Sequence, residues 1–208
     1  DIGDGWMGGL SAKRFADELN ALGKLTEINV RINSPGGSVF DGVAIYNTLV
    51  KNGANIIVDI DGLAASISSV IAMAGNEIRI ASNALLMIHD PWGVFAGNAD
   101  ELRRQAELMD KVKGTLLDTY MNRAKASKKD VEQMMKDETW MTADEALENG
   151  FVDSVTDEMK MAAHFDLKRF KHPPKLEESI ANVVQIEPVT NVSARTALDY
   201  MNVRTKRY

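Results

Sequence analysis

The 208 residues are 45% hydrophobic and 26% charged, an ordinary globular balance able to bury one substantial core. A formal net charge of −6, with no basic cluster before the C-terminal tail, argues against a nucleic-acid-binding surface. The absence of cysteine excludes disulfides and thiolate metal sites and favours a reducing compartment. The longest apolar run, Ile67 to Ala74, is cut off by Gly75, Asn76 and Glu77, well short of the roughly 18 residues of a membrane span.

The chain opens at Asp1 in mid-pattern and shows no cleavable signal pattern, so an upstream strand is expected to have preceded it. In "LSAKRFADELNALG", Phe15, Ala16, Leu19 and Leu22 recur at helical spacing behind Ser11 as N-cap, with Gly23 as the stop. "TEINVRIN" alternates Ile28, Val30 and Ile32 as a strand that ends at "SPGG". "SVFDGVAIYNTLVKNG" reads as a second helix and "NIIVDI" as a second strand. The stretch "DGLAASISSVIAMAG" follows as a short, apolar, buried helix headed by Ser66. "EIRIA" and "ALLMI" are two further strands separated by a turn at Asn83.

After the loop "HDPWGVFAGNA", a long helix is predicted from about Asn98 to Ala126, with Leu102, Gln105, Met109, Val112, Leu116 and Tyr120 on one stripe. Ser127 with Asp130 and Thr142 with Glu145 resemble capping boxes for two shorter helices, and "FVDSV" is the last core strand. Alternation of strands and helices predicts a mostly parallel α/β core built from crossover units. Beyond about Thr156 the pattern lapses: residues 157–208 hold nine Lys/Arg against seven Asp/Glu, with "HPP" and "EPVTN". The expected organisation is therefore a domain over residues 1–156 and an extended or partly ordered C-terminal extension over 157–208.

Functional groups in open α/β sheets gather where strands feed into loops, and four features stand there. Gly36-Gly37 can bring main-chain N–H groups close to a ligand oxygen. Ser66 heads a helix, where peptide dipoles favour developing negative charge. His89 ends an apolar strand and is the single histidine of the predicted core, His164 and His172 lying in the tail. Asp137-Glu138 is an acidic pair before Trp140. Serine, histidine and carboxylate from separated segments are the parts of a nucleophilic triad, with histidine as the base that can accept a serine proton near neutrality. Each also has a structural reading: Ser66 as an N-cap, His89 as a satisfied core residue, "SPGG" as a tight turn and Asp137-Glu138 as a solvated helix end.

Four blocks, "RINSPGGSVFDGVAIYNTL", "DGLAASISSVIAMAG", "ALLMIHDPWG" and "ETWMTADEALENGFVDSV", resemble in order the signature blocks of the Clp protease proteolytic subunit (ClpP) family. Within it they look most like the phage-encoded relatives that act as prohead or head-maturation proteases. The resemblance spans about Leu10 to Val155. It implies the ClpP/crotonase spiral of ββα units, with the long helix as a handle-like element joining two rings. It implies a serine endopeptidase with Ser66 as nucleophile, His89 as base, and Gly37 and Ile67 supplying the oxyanion N–H groups. Gly36, Ser38 and Pro91 fall at substrate-binding positions. Registering "WMTADEA" without gaps puts Glu138 where the family has an aspartate, and Asp137, one residue away, is the alternative third member.

The resemblance implies no cofactor and no metal, a polypeptide substrate such as a capsid or scaffold protein, homo-oligomeric rings, and a cytoplasmic or procapsid location. Since the sequence contains no ATP-binding motif, ATP could act only through an unfoldase partner. Neither a nucleic-acid nor a membrane partner is expected. The competing readings are a crotonase-like acyl-CoA enzyme, a serine/lysine dyad peptidase, and a catalytically inactive assembly subunit of the same fold.

Overall fold

The structure, a computed structural model, describes residues 1–3, 9–159 and 167–174 and the main chain of 204–207. Helix α1 (Ala12–Ala21) starts as expected at Ser11, whose side chain accepts from the Arg14 N–H, and it buries Phe15 and Leu19. Strand β1 (Leu25–Ser34) turns Ile28, Val30 and Ile32 inward. Helix α2 (Val39–Asn52) is capped by Ser38 and ends at Gly53, at φ 79°. Strand β2 (Asn55–Ala65) then pairs parallel to β1.

Here the structure departs from the sequence reading. The strand expected to end at Ile60 continues to Ala65, and the helix after it, α3, covers only Ile67–Ala72. The reason is a change of partner. Residues Ile57 to Ile60 pair parallel with β3 (Glu77–Ala81), and Leu63 to Ala65 pair parallel with β4 (Leu85–Ile88). Between the two halves the β1 register slips, so that between Ile32↔Ile60 and Ser34↔Ala64 the single residue Asn33 faces Asp61, Gly62 and Leu63, a bulge that bends the strand. Gly62 is suited to it, because a Cβ there would lie 2.9 Å from Asn33 Oδ1. Asp61, buried within the bulge, is held by a two-pronged bond from Arg31 at 2.9 and 2.7 Å.

Helix α4 (Ala99–Met121) opens on a full capping box between Asn98 and Glu101. It ends earlier than expected because the Lys125 N–H turns to the Asn149 carbonyl. The apolar stripe reaches the core only near the C-terminus, at Leu116, Leu117 and Tyr120, while Leu102 and Leu108 are 43% and 47% exposed. Helix α5 (Lys128–Lys136) is capped by Ser127. Strand β5 (Thr139–Thr142), which the sequence did not reveal, pairs antiparallel with β4. Helix α6 (Ala143–Glu148) carries the expected Thr142/Glu145 capping box, and β6 (Ser154–Thr156) pairs parallel with β3. Strand β7 (Arg204–Arg207) adds antiparallel to β1.

The result is a mixed, curled α/β sheet of order β5-β4-β2-β1-β7, with β3 and β6 branching from β2. The main core includes Ile28, Val30, Ile45, Val58, Ile78 and Phe151. A second cluster joins Leu63, Ala65 and Met87 to Phe170, flanked by Leu85, Trp140 and Leu167. Among the described residues, no helix is long and apolar enough to cross a membrane.

Helices α2 and α3 approach closely at Gly42, where a Cβ would fall 2.1 Å from Ile67 Cγ1. Ile67 is buried and β-branched and has little room to yield. Gly42→Ala is expected to lower the unfolding free energy by about 1–3 kcal/mol, measured as a lower denaturant midpoint at unchanged m-value.

Candidate active site

The ends of three neighbouring strands meet at one edge of the sheet. Ala65 at the end of β2 is opposite Met87 of β4, and the Ser66 N–H donates to the Met87 carbonyl at 3.0 Å. Ile88, the last residue of β4, is opposite Thr139, the first of β5. The residues just beyond these pairs are Ser66, His89 and Glu138.

Ser66 has φ 58° and ψ −132°, and its side chain makes no capping bond to α3. The N-cap reading of this serine therefore fails. Its Oγ instead lies 2.8 Å from His89 Nε2. Ser66 and Glu138 (φ 52°) are the non-glycine residues with positive φ among those described, a conformation costing on the order of 1–3 kcal/mol each that persists only when the surroundings enforce it. Around Ser66 they do. The Ser69 N–H and Oγ both donate to the Ser66 carbonyl, at 3.0 and 2.6 Å, and Ser69 Oγ also meets the buried Tyr120 hydroxyl at 2.8 Å. The Ser68 hydroxyl is shared between the carbonyls of Ala65 and Ser34, at 2.7 and 2.8 Å. These two serines satisfy main-chain oxygens in a crowded turn.

The "SPGG" loop lies against this elbow. Gly36, at φ 93°, passes so close that a Cβ would be 2.7 Å from Ser66 Cβ. Gly37, at φ 150°, abuts Ile2, whose N–H bonds the Gly36 carbonyl and whose carbonyl accepts from the Ser38 N–H. That pairing gives the Gly37 N–H no hydrogen-bond partner among the described residues. Ser38 serves as the α2 cap, and Pro91 lines the cleft with Gly37, Ser66, His89, Trp92 and Phe170.

The acidic pair separates in the structure. Asp137 is exposed and receives the Gln133 side-chain amide at 2.8–2.9 Å. Glu138 is 5% exposed, and its Oε2 lies 3.6 Å from His89 Nδ1. That separation is an electrostatic contact, longer than a formed hydrogen bond. The carboxylate also accepts the main-chain N–H groups of Lys171 at 3.0 Å and His172 at 2.7 Å. The buried Trp140 Nε1 has no partner of normal geometry, although the indole also favours the charged carboxylate.

Burial pushes His89 below the ordinary imidazole value and Lys171 adds to the shift, while Glu138 and Asp90 pull the other way. The ring is therefore neutral at pH 7. With a carboxylate facing Nδ1, the ring proton belongs there, which leaves Nε2 to accept from Ser66. Burial would raise Glu138, but the His172 and Lys171 N–H groups, with His89, outweigh it and hold the carboxyl below its usual value.

Ser66, His89, Glu138 and the glycine loop, all singled out in the sequence, are brought together in the structure. Sequence reasoning missed the contribution of the tail. Phe170 is 6% exposed and meets the His89 ring edge-on at 5.8 Å and the Trp140 ring at 5.2 Å. Arg169 donates to the Pro35 carbonyl at 2.5 Å. A lone aromatic and two main-chain donors in an aperiodic segment leave no sequence pattern to find.

A curled α/β sheet whose edge presents serine, neutral histidine and carboxylate in this order has the architecture of a serine-type endopeptidase. Comparison with known proteins places the chain within that class. A family model described as Clp protease matches residues 11–159. The ATP-dependent Clp protease proteolytic subunit 2 of Tropheryma whipplei (strain Twist) is 36% identical over 165 residues, covering 74% of this chain and 90% of that protein. Subunit 1 of Leifsonia xyli subsp. xyli (strain CTCB07) is 36% identical over 170 residues, covering 76% and 85%. The proteolytic subunit of Porphyromonas gingivalis (strain ATCC BAA-308 / W83) is 38% identical over 134 residues, covering 62% and 59%. The chain belongs to the Clp protease family and is a serine-type endopeptidase.

Glu138 raises the His89 pKa against the dominant effect of burial. Glu138→Gln removes that charge, so the imidazole should titrate at lower pH in the variant than in the wild type, itself already below 6.5. Histidine ring NMR as a function of pH reads both midpoints.

Proposed function

We propose that Ser66, His89 and Glu138 act together to cleave polypeptides. The observation that carries this reading is the 2.8 Å contact between Ser66 Oγ and His89 Nε2 in a cleft also lined by Gly37. Ser66 Oγ attacks the scissile carbonyl carbon as its proton passes to His89 Nε2. The carbonyl π electrons move onto oxygen, where the N–H groups of Gly37 and Ile67 receive the negative charge. His89 then returns its proton to the departing amine as the C–N bond breaks, leaving an acyl-enzyme on Ser66. Water, deprotonated by His89, hydrolyses the ester and regenerates the serine. Glu138 stays ionised throughout, orients the ring and stabilises the transient imidazolium. Gly36, Ser38 and Pro91 flank the substrate chain, and Asp137 takes no part.

A crotonase-like acyl-CoA reaction would need a carboxylate presented to the cleft. Glu138 is instead held behind the imidazole by two main-chain donors. The intact Ser66–His89 contact weighs likewise against a purely structural subunit, and the histidine at the base position against a serine/lysine dyad.

The relatives are named as subunits of ATP-dependent proteases. We extend this to homo-oligomeric rings in which the exposed first half of α4, with Leu102 and Leu108, contributes to contacts between copies. An unfoldase partner would deliver chains to the chamber. The "ETW" block and its glutamate favour a phage-type enzyme that processes capsid or scaffold proteins, in the host cytoplasm or inside the procapsid. Residues 1–156 form the protease unit, with 157–208 as its extension.

A fluorophosphonate probe should label the wild-type protein at Ser66, and Ser66→Ala should abolish labelling and lower peptide hydrolysis by roughly four orders of magnitude or more. Undiminished labelling of Ser66→Ala would sink the assignment. Because the base must be neutral and burial lowers its pKa, the acid limb of kcat/KM should fall below pH 6.5, the ordinary histidine value.

A further inference from the structure

The family match ends at residue 159, yet residues beyond it make contacts at three points of the candidate site. Arg169 Nη2 donates to the Pro35 carbonyl in the glycine loop. Phe170, buried in the small cluster with Leu63, Ala65 and Met87, sets its ring against His89. The Lys171 and His172 N–H groups each take one oxygen of Glu138. Consecutive residues of one segment thus touch the loop, the base and the acid.

We infer that Arg169 to His172 form a positioning clasp, outside the family's common core, on which the alignment of Ser66, His89 and Glu138 depends. The inference rests on the proposed roles of those three residues. Glutamate carries one more rotatable bond than aspartate, and the 3.6 Å gap to His89 Nδ1 is too long for the imidazole alone to fix it. Two N–H donors, one on each carboxylate oxygen, supply what the imidazole does not. The indole of Trp140, packed on Phe170 at 5.2 Å, closes the same side. Phe170, set edge-on against the imidazole at 5.8 Å, limits the rotation that would break the contact to Ser66. The contacts of the clasp are to Pro35, His89 and Glu138, so it acts by positioning the loop, the imidazole and the carboxylate.

The alternative role for a segment lining the cleft is to obstruct it, and the two predict opposite responses to weakening. The test uses the full chain. Phe170→Ala removes the ring, and His172→Pro removes the shorter of the two N–H donors. Fluorophosphonate labelling of Ser66 should slow about tenfold or more in each. Phe170→Ala should also move the acid limb of kcat/KM upward, because relieving burial lets the imidazole pKa rise toward 6.5. Asp90, Glu138 and Lys171, the charged groups facing the ring, remain in place. His172→Pro should raise the Glu138 pKa, and the carboxylate charge thereby lost lets the His89 pKa and the acid limb fall, the opposite direction to Phe170→Ala. Phe170→Leu, which refills the cluster, should recover most of the labelling rate and the wild-type limb.

Labelling at the wild-type rate with an unshifted acid limb in both variants would overturn the clasp while leaving the proposed mechanism intact. Faster labelling would overturn it in favour of an obstructing segment. A wild-type protein that does not label at Ser66 would instead remove the mechanism on which the inference stands.

Discussion

Everything at the candidate site depends on the partner exchange within β2. Up to Ile60 the strand is zipped to β3, and from Leu63 it is zipped to β4. The bulge at Asp61 to Leu63, pinned by the Arg31 guanidinium and made possible by Gly62, is what permits the change. Without it, β2 would continue beside β3 and Ser66 would emerge far from the end of β4. With it, hydrogen bonding alone aligns Ala65 with Met87 and Ile88 with Thr139. Ser66, His89 and Glu138 are then the next residues out on adjacent strands. The triad-like arrangement is a consequence of register before it is a matter of side-chain packing.

Register brings the three residues together, and backbone strain aims two of them. Ser66 and Glu138 both take positive φ without being glycine, each at the point where its strand meets a helix. The turn at Ser66 is tight enough to throw its side chain out of the capping position and toward His89. Ser68 and Ser69 make this tolerable by bonding the carbonyls of Ala65 and Ser66, which so sharp a turn would otherwise leave short of donors. Gly36 completes the enclosure, because any side chain there would collide with Ser66. Hydroxyls at the head of a core helix are thus a device for holding a strained serine.

Much of this was legible in the sequence. Ser11, Thr142 and Glu145 marked helix starts through side-chain chemistry that is local to a few residues. Ser66 and His89 were legible because each is polar at the end of an apolar run. The second half of β2 was not, since "DG" reads as a turn and the small apolar residues after it suit a buried strand or helix equally. Strand β5 is four residues long and shows no sustained alternation. The length of α4 was overestimated because no local signal marks the point at which the Lys125 N–H turns to the Asn149 carbonyl. In each case a long-range partner decided the local structure, and no window of sequence contains that partner.

Glu138 shows how such a partner can alter the demands on a buried side chain. A carboxylate behind an imidazole must be charged and must be held still. Burial favours stillness and disfavours charge, so a buried acid needs donors to stay ionised. An aspartate on a short tether can draw its order from its own strand. Glu138 has a longer tether and begins from a left-handed backbone, so its order must come from elsewhere. The Lys171 and His172 N–H groups meet both needs at once, since they stabilise the charge and also fix both oxygens in the plane they define. Main-chain donors suit this task because they add no opposing charge that would compete with the imidazolium for the carboxylate. The long side chain of Glu138 and the two main-chain donors that hold it are, on this view, two halves of one structural solution.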